Sequence, residues 1–187
     1  MPTRYDPTTG EDWLMAGSPS GLRAQNISAL DCGADLDPLT TQVMLSVAVP
    51  LQVGDLVSNI TFKSGATAAD TPANYWFALY SAAATPALVG QSADQTSTAW
   101  AANTVKTLAL TTPYRVPVTG VYYAAIMVKA STPPTLLGAS LGLAGASASI
   151  LSSKVLAQTS GSSLTDTAPA TIASPTAIAS VPFAVLT

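Results

Sequence analysis

The sequence predicts an all-β protein, an antiparallel β-sandwich of jelly-roll or Greek-key type with an extended N-terminal arm. Apolar and polar residues alternate over strand lengths between residues 41 and 130, and Pro/Gly turns separate these runs. No segment shows a helical period, and a chain of 187 residues suits one sandwich core. We assign residues 1–26 to the arm and residues 27–187 to the sandwich domain, in which 130–180 is low in complexity and rich in loops.

The arm contains turn residues and an isolated apolar cluster of Trp13, Leu14 and Met15. A segment of this composition cannot bury its own apolar side chains, so we expect it to be extended and to dock through the cluster. The receiving surface is either its own sandwich or a neighbouring subunit. We interpret the three residues as an assembly arm.

Two strands are predicted between residues 41 and 63. In Val43–Val49 the odd-numbered residues are apolar and share one face, and Pro50 is expected to end the hydrogen-bonded ladder. A turn at Gly54–Asp55 leads to the second strand. One face of that strand is assigned to Leu56, Ser58, Ile60 and Phe62, and the other to Val57, Asn59 and Thr61.

Residues Asn74–Ser81 predict a central strand, because bulky side chains occupy both of its faces. One face has Tyr75, Phe77 and Leu79, and the other has Trp76, Ala78 and Tyr80. Further along we expect a short strand within 86–94, one helical turn around Trp100, strands at Val105–Leu110 and within 113–120, and a strand at Val121–Val128.

After Lys129 the strand pattern weakens, because Ala, Ser, Gly, Thr and Pro dominate and charges are few. We expect ordered loops and short strands here rather than a disordered tail, since several Leu, Ile and Val side chains would otherwise face solvent. The last segment, Val181–Thr187, is predicted to be a closing strand that pairs back into a sheet.

The composition predicts a protein that associates with other copies or with a larger assembly. Charged residues make up only 9% of the chain and hydrophobic ones 48%, so small and hydroxyl side chains must cover much of the surface. We expect neither a secretory leader nor a membrane span, and therefore synthesis in a cytoplasm. The basic residues are scattered and argue against nucleic-acid binding: Arg4, Arg23, Lys63, Lys106, Arg115, Lys129 and Lys154.

The residues that most enzymes need for chemistry are scarce. The chain has no histidine, so a Ser-His-Asp or Cys-His site is excluded within it, and Cys32 has no histidine base to activate it. The acidic residues sit mostly beside turn formers and are not paired as in a glycosidase. We therefore predict no enzymatic activity, no cofactor and no metal site. The densest acidic cluster, Asp31–Pro38, is read as turn and cap residues, with Ca²⁺ binding as the alternative.

Aromatic side chains offer a second kind of site, because their faces stack on sugar rings. Most strand aromatics are expected in the core. Tyr80, Trp100 and Tyr114 are the candidates for a shallow glycan-binding groove.

Residues 49–128 resemble the β-sandwich modules of virion proteins in tailed phages of actinobacteria. The similarity rests on NYWFALYS, on QSADQTSTAW and on LTTPYRVPVTGVYYAAIMV, and it includes no catalytic motif. The resemblance implies a virion structural protein, a homotrimer that contacts major capsid or tail proteins. The placement that we favour is a capsid decoration protein on the head surface, which stabilises the particle through subunit contacts. The alternative is a minor tail protein that binds cell-wall glycans on the host.

Overall fold

The computed structural model describes residues 23–140 and 154–187, and these residues form an all-β fold. They contain thirteen strands, one short 3-10 turn at Ala29–Asp31 and no α-helix. The strands are β1 Ala24–Gln25, β2 Ala34–Asp35, β3 Met44–Leu51, β4 Leu56–Lys63, β5 Asn74–Tyr80, β6 Leu88–Gln91, β7 Val105–Arg115, β8 Gly120–Lys129, β9 Leu137–Ser140, β10 Ala157–Ser160, β11 Thr176–Ala177, β12 Ser180–Pro182 and β13 Ala184–Leu186.

The strands pair antiparallel in three sheets. The four-stranded sheet has the order β1-β13-β4-β7, and the six-stranded sheet has the order β11-β10-β3-β8-β5-β6. A small sheet, β12-β9-β2, completes the fold. Neighbouring strands are mostly distant in sequence, so the pairing depends on long-range contacts that no local pattern specifies.

The main core lies between the four-stranded and six-stranded sheets. Apolar side chains from both sheets belong to one buried cluster, in which Phe62 of β4 packs edge-on against Phe77 of β5 with ring centroids 5.0 Å apart. Trp100 joins them from the loop before β7, 5.9 Å from the Phe77 ring. A second, smaller cluster lies on the opposite face of the six-stranded sheet. The six-stranded sheet is therefore buried on both faces.

The face assignments of β3 and β5 are confirmed. Leu45, Val47 and Val49 belong to the main core, while Met44 and Ala48 belong to the second cluster. In β5 the tyrosine, phenylalanine and leucine at the odd positions face the main core, and the tryptophan, alanine and tyrosine at the even positions face the second cluster. The strand is central as predicted, since it lies between β8 and β6.

The prediction that Pro50 ends the first strand is wrong. β3 continues to Leu51, and Pro50 is paired with Val121 of β8. The other neighbour, β10, pairs with β3 only as far as Val47. Pro50 thus falls where, among the described residues, only one side of β3 is paired with a strand, and a missing N–H is tolerated on the other side.

The face assignment of β4 is wrong in its first half. The β4–β7 register shifts between Val57 and Asn59, which marks a β-bulge or similar irregularity. Such an insertion reverses the alternation of side chains along the strand. Val57 is consequently buried together with Ile60 and Phe62, whereas Leu56 is 40% exposed.

The segment around Pro113 is one strand, not two. β7 runs unbroken from Val105 to Arg115 and pairs with β4 on both sides of the register shift. The helical turn predicted around Trp100 is also absent: this residue makes an isolated antiparallel bridge with Ala69. Its indole N–H donates to the carbonyl oxygen of Thr104 at 3.2 Å.

The closing strand is confirmed but is split between two sheets. β12 pairs with β9, and after Phe183 the chain continues as β13, which pairs with β4 and β1. Asn26, the last residue that the sequence assigns to the arm, links the chain after β1 to the junction of β12 and β13. Its side-chain amide donates to the Pro182 carbonyl at 2.7 Å and accepts from the Ala184 N–H at 2.8 Å. The cluster Trp13, Leu14 and Met15 lies outside the described residues.

Candidate functional site

The acidic residues of the described chain do not converge on a site. Within residues 23–140 and 154–187 no three Asp, Glu or Cys side chains lie close enough together to hold a metal ion. In the segment Asp31–Pro38, the Asp35 carboxylate instead accepts a hydrogen bond from the Ala66 N–H at 3.1 Å. This arrangement does not provide the oxygen cage that Ca²⁺ needs, so the alternative of a calcium loop at Asp31–Pro38 is not supported.

Cys32 has the environment of an unreactive thiol. Burial, and secondarily the negative charge of Asp31, raise its pKa above the usual value. Its Sγ contacts the Ser28 carbonyl oxygen at 3.4 Å. A thiol with a raised pKa forms little of the nucleophilic thiolate at neutral pH.

The three predicted glycan-binding aromatics do not form a groove. Tyr80 is fully buried in the second cluster and Trp100 is 1% exposed in the main core, so the two rings lie on opposite faces of the six-stranded sheet. Trp100 stacks on Tyr75 with centroids 6.0 Å apart, which occupies a ring face that a sugar would need. Tyr114 is partly buried beside Tyr122, at a centroid distance of 6.3 Å. The structure therefore does not bring Tyr80, Trp100 and Tyr114 together in a glycan-binding groove. Each of them packs against other side chains of the fold.

The outer face of the six-stranded sheet is covered by the chain that leads to β11. Ala168 and Ile172 pack into the second cluster against the sheet. Trp76 of β5 donates its indole N–H to the Thr165 carbonyl at 2.8 Å, and the Tyr80 hydroxyl donates to the Pro169 carbonyl at 2.8 Å. We call residues 164–172 the cover segment. Its position explains how bulky aromatics can occupy the outward positions of β5.

Beside the cover segment lies a cleft of about 360 Å³. Among its described lining residues one is charged: Lys154, whose ammonium donates to the Ala83 carbonyl at 2.8 Å and lies 5.1 Å from the centre of the Tyr123 ring. Burial lowers the pKa of Lys154 and raises that of Tyr123 to about 12. Its described lining residues include no carboxylate, and the Lys154 ammonium is already hydrogen-bonded to the protein.

The outer face of the four-stranded sheet has a different surface, with small, uncharged side chains. Across its strands the register aligns Gln25, Val185, Thr61 and Thr107 in one row. The Thr61 and Thr107 hydroxyl oxygens are hydrogen-bonded at 2.8 Å. In the neighbouring row Asn59 is opposite Ala109. We call these two rows the open face.

The open face is accessible and carries no charge. Thr107 and Ala109 are exposed, while Thr61, Asn59 and Val185 are half-buried by their neighbours in the sheet. The nearest outward charge on β4 is Lys63, which is opposite Val105 at the end of the sheet. Docking another protein here would desolvate hydroxyls and the side-chain amides of Gln25 and Asn59 but no ion, which is much less costly than burying charges.

The open face is not among the contact sites that the sequence predicts. Its signal was present as the alternation of Thr and Ala with Leu along residues 107–111. That alternation predicts a polar face of a strand, but it does not predict that no other described segment covers this face while residues 164–172 cover the outer face of the other sheet.

Comparison with known protein families finds no matching family model, and a search of curated proteins finds no match. No described segment is a helix of the length and apolar character that crossing a bilayer requires. The features that bear on function are therefore the outer faces of the four-stranded and six-stranded sheets.

Proposed function

We propose that this chain is a non-enzymatic structural protein of a tailed-phage virion, most specifically a decoration protein on the head surface. The observation that carries the proposal is the asymmetry between the two sheets. The six-stranded sheet is closed by the cover segment, whereas the open face is uncharged. A face of this kind favours contact with another protein over contact with an ionic ligand.

The finer parts of the proposal concern architecture and assembly. The non-sequential neighbours in the sheets support a sandwich of jelly-roll or Greek-key type. Residues 1–26 are proposed to be an extended arm, of which the described part ends in β1. The protein is proposed to assemble as a homotrimer that contacts major capsid proteins, by analogy with virion sandwiches.

Immunogold labelling of intact particles tests the placement. Tailed phages from actinobacterial lysates are probed with an antibody raised against this chain. Label spread over the head supports a decoration protein. Label confined to the tail tip overturns that placement in favour of a minor tail protein, and no label on any particle refutes the virion role.

Charge insertion tests the contact face. In particles assembled with variant chains, we expect the double variant Thr61→Glu/Thr107→Glu to fold but not to be incorporated, because two carboxylates would have to be desolvated at the contact. Thr85→Glu is the matched control, since Thr85 is exposed in the loop between β5 and β6, away from the open face. Normal incorporation of the double variant would show that the open face is not the contact.

A further inference from the structure

Two loops at one end of the sandwich carry exposed valines. Val53, in the turn between β3 and β4, is 64% exposed, and Val118, in the turn between β7 and β8, is 63% exposed. Leu56, the first residue of β4, is 40% exposed at the same end. We call these three residues the end patch. Exposed large aliphatic side chains grouped in this way indicate a contact surface.

The loops that hold the end patch are joined to each other by hydrogen bonds. The Gly54 N–H donates to the Val116 carbonyl at 2.8 Å, and the Val116 N–H donates to the Asp55 carbonyl at 2.8 Å. The Arg115 guanidinium donates to the Gly54 carbonyl at 2.9 Å. The patch is thus a built surface of the fold and not the tip of a single loop.

The described chain begins beside the middle of β4 and is directed towards this end. β1 is antiparallel to β13, with Ala24 opposite Leu186, and the Thr187 backbone is hydrogen-bonded to Asn59 of β4. Continuing backwards from Ala24 therefore leads towards the start of β4, where Leu56 lies. Twenty-two residues precede Arg23, and they include the apolar cluster Trp13–Met15.

We propose that the Trp13–Leu14–Met15 cluster docks on the end patch of its own chain. The path is short enough. Two strand spacings separate β1 from β4, roughly 10 Å, and three residues separate Asn59 from Leu56, roughly another 10 Å along the strand. The seven residues 16–22 span up to about 25 Å when extended, and Gly17, Pro19 and Gly21 favour the bends that would carry the chain sideways from β1 to β4.

Linkage favours the chain's own patch over that of a second copy. A short linker gives the cluster an effective concentration in the millimolar range at its own patch, well above a micromolar protein solution. This assigns the cluster to the first of the two receiving surfaces that the sequence allowed. The inference does not depend on the virion role, because the subunit contact proposed above uses the open face.

Acrylamide quenching of tryptophan fluorescence tests the docking. The other two tryptophans, Trp76 and Trp100, are buried, so quenching of the whole protein reports mainly on Trp13, and the Trp13→Phe variant gives the baseline. We expect Trp13 to be protected in the unaltered chain and several-fold more quenchable in Val53→Asp/Val118→Asp. Val105→Asp is the matched control, because Val105 is 62% exposed at the opposite end of β7. Equal quenching in all three chains overturns the proposal.

A mixing experiment separates the chain's own patch from that of a second copy. Trp13→Phe chains supply an intact patch, and Val53→Asp/Val118→Asp chains supply an intact Trp13. If docking is within one chain, mixing leaves Trp13 quenchable. Restored protection on mixing overturns the proposal and assigns the patch to a second copy.

A cross-link keeps the test valid if the aspartate variants fail to fold. In a Cys32→Ser background, oxidation of Leu14→Cys/Val118→Cys should give a disulfide within a monomer. A covalent dimer, or no cross-link, contradicts docking on the chain's own patch.

Discussion

Two tyrosines of β5 allow a direct test of how hydrogen bonds of buried hydroxyls contribute to the stability of this fold. Tyr75 and Tyr80 are both fully buried, but on opposite faces of the six-stranded sheet. The Tyr80 hydroxyl donates to the Pro169 carbonyl at 2.8 Å, whereas the Tyr75 hydroxyl has no hydrogen-bond partner within residues 23–140 and 154–187. Replacing each with phenylalanine removes the same atom from two opposite situations.

The expected effects differ in sign. Tyr80→Phe loses a hydrogen bond and leaves a carbonyl of the cover segment unpaired, which should lower the free energy of unfolding by about 1–2 kcal/mol. Tyr75→Phe removes a hydroxyl whose desolvation nothing offsets, so unfolding should cost the same or up to about 1 kcal/mol more. In a chain of this length the first effect corresponds to a fall in Tm of roughly 2–8 °C.

Urea denaturation at equilibrium, followed by fluorescence, measures both free energies. Equal slopes against urea are required for the comparison, because a changed slope would mean a changed unfolded or folded state. If Tyr75→Phe destabilises the protein as much as Tyr80→Phe, the Tyr75 hydroxyl has a hydrogen-bond partner and the reasoning is wrong. Asp94 is the residue to examine in that case, since burial and then its charge raise the pKa of Tyr75.

Tyr80→Phe should also loosen the cover segment. The Leu88 N–H donates to the Ala170 carbonyl and the Ile172 N–H donates to the Pro86 carbonyl, each at 2.9 Å. With the Tyr80 bond removed, we expect faster hydrogen exchange at these two amides than at amides of β8. Unchanged exchange would show that packing alone retains the segment.

Three further predictions follow from single positions. Gly138→Ala should destabilise the fold by about 1–3 kcal/mol in thermal unfolding, because the added methyl would overlap the Val181 backbone carbonyl, whereas Gly33→Ala, with open space around it, should be close to neutral. Asn26→Ala should cost about 2 kcal/mol in urea unfolding through its two backbone hydrogen bonds, and a smaller loss than at Gly33 would contradict this. Burial raises the pKa of Tyr123 to about 12 in the folded chain, so the free energy of unfolding should fall as the pH rises from 10 to about 12. Tyr123→Phe should reduce that fall in a series of alkaline unfolding measurements. An unchanged fall would show that Tyr123 is not its cause.

The strands that alternate strictly were predictable from the sequence, and the exceptions have local causes. β5 has bulky apolar side chains on both of its faces, and this pattern correctly predicts a strand buried on both faces. In β4 the register shift after Val57 changes which residues point to the core, and no residue type in the sequence predicts that shift. Pro50 was misread because its effect depends on which neighbouring strand reaches it, and that is a property of the sheet order.

The site was less predictable than the fold for a physical reason. Aromatic residues were the natural candidates for ligand contact, but the interior offers them a larger gain than the surface, and Trp100 and Tyr80 are accordingly buried. The open face consists of Thr, Val, Ala, Asn and Gln, and the strand propensity of Thr and Val explains their presence without any function.

What distinguishes the open face is the comparison with the other sheet. The six-stranded sheet places Trp76, Tyr80 and Met127 in outward positions, and such a surface would associate without specificity if the cover segment did not bury it. The four-stranded sheet needs no cover, because its outward hydroxyls are compatible with water. A face that is stable in water and contains no ion to desolvate can be exposed before assembly and buried afterwards, and this combination is what a subunit added to a particle requires.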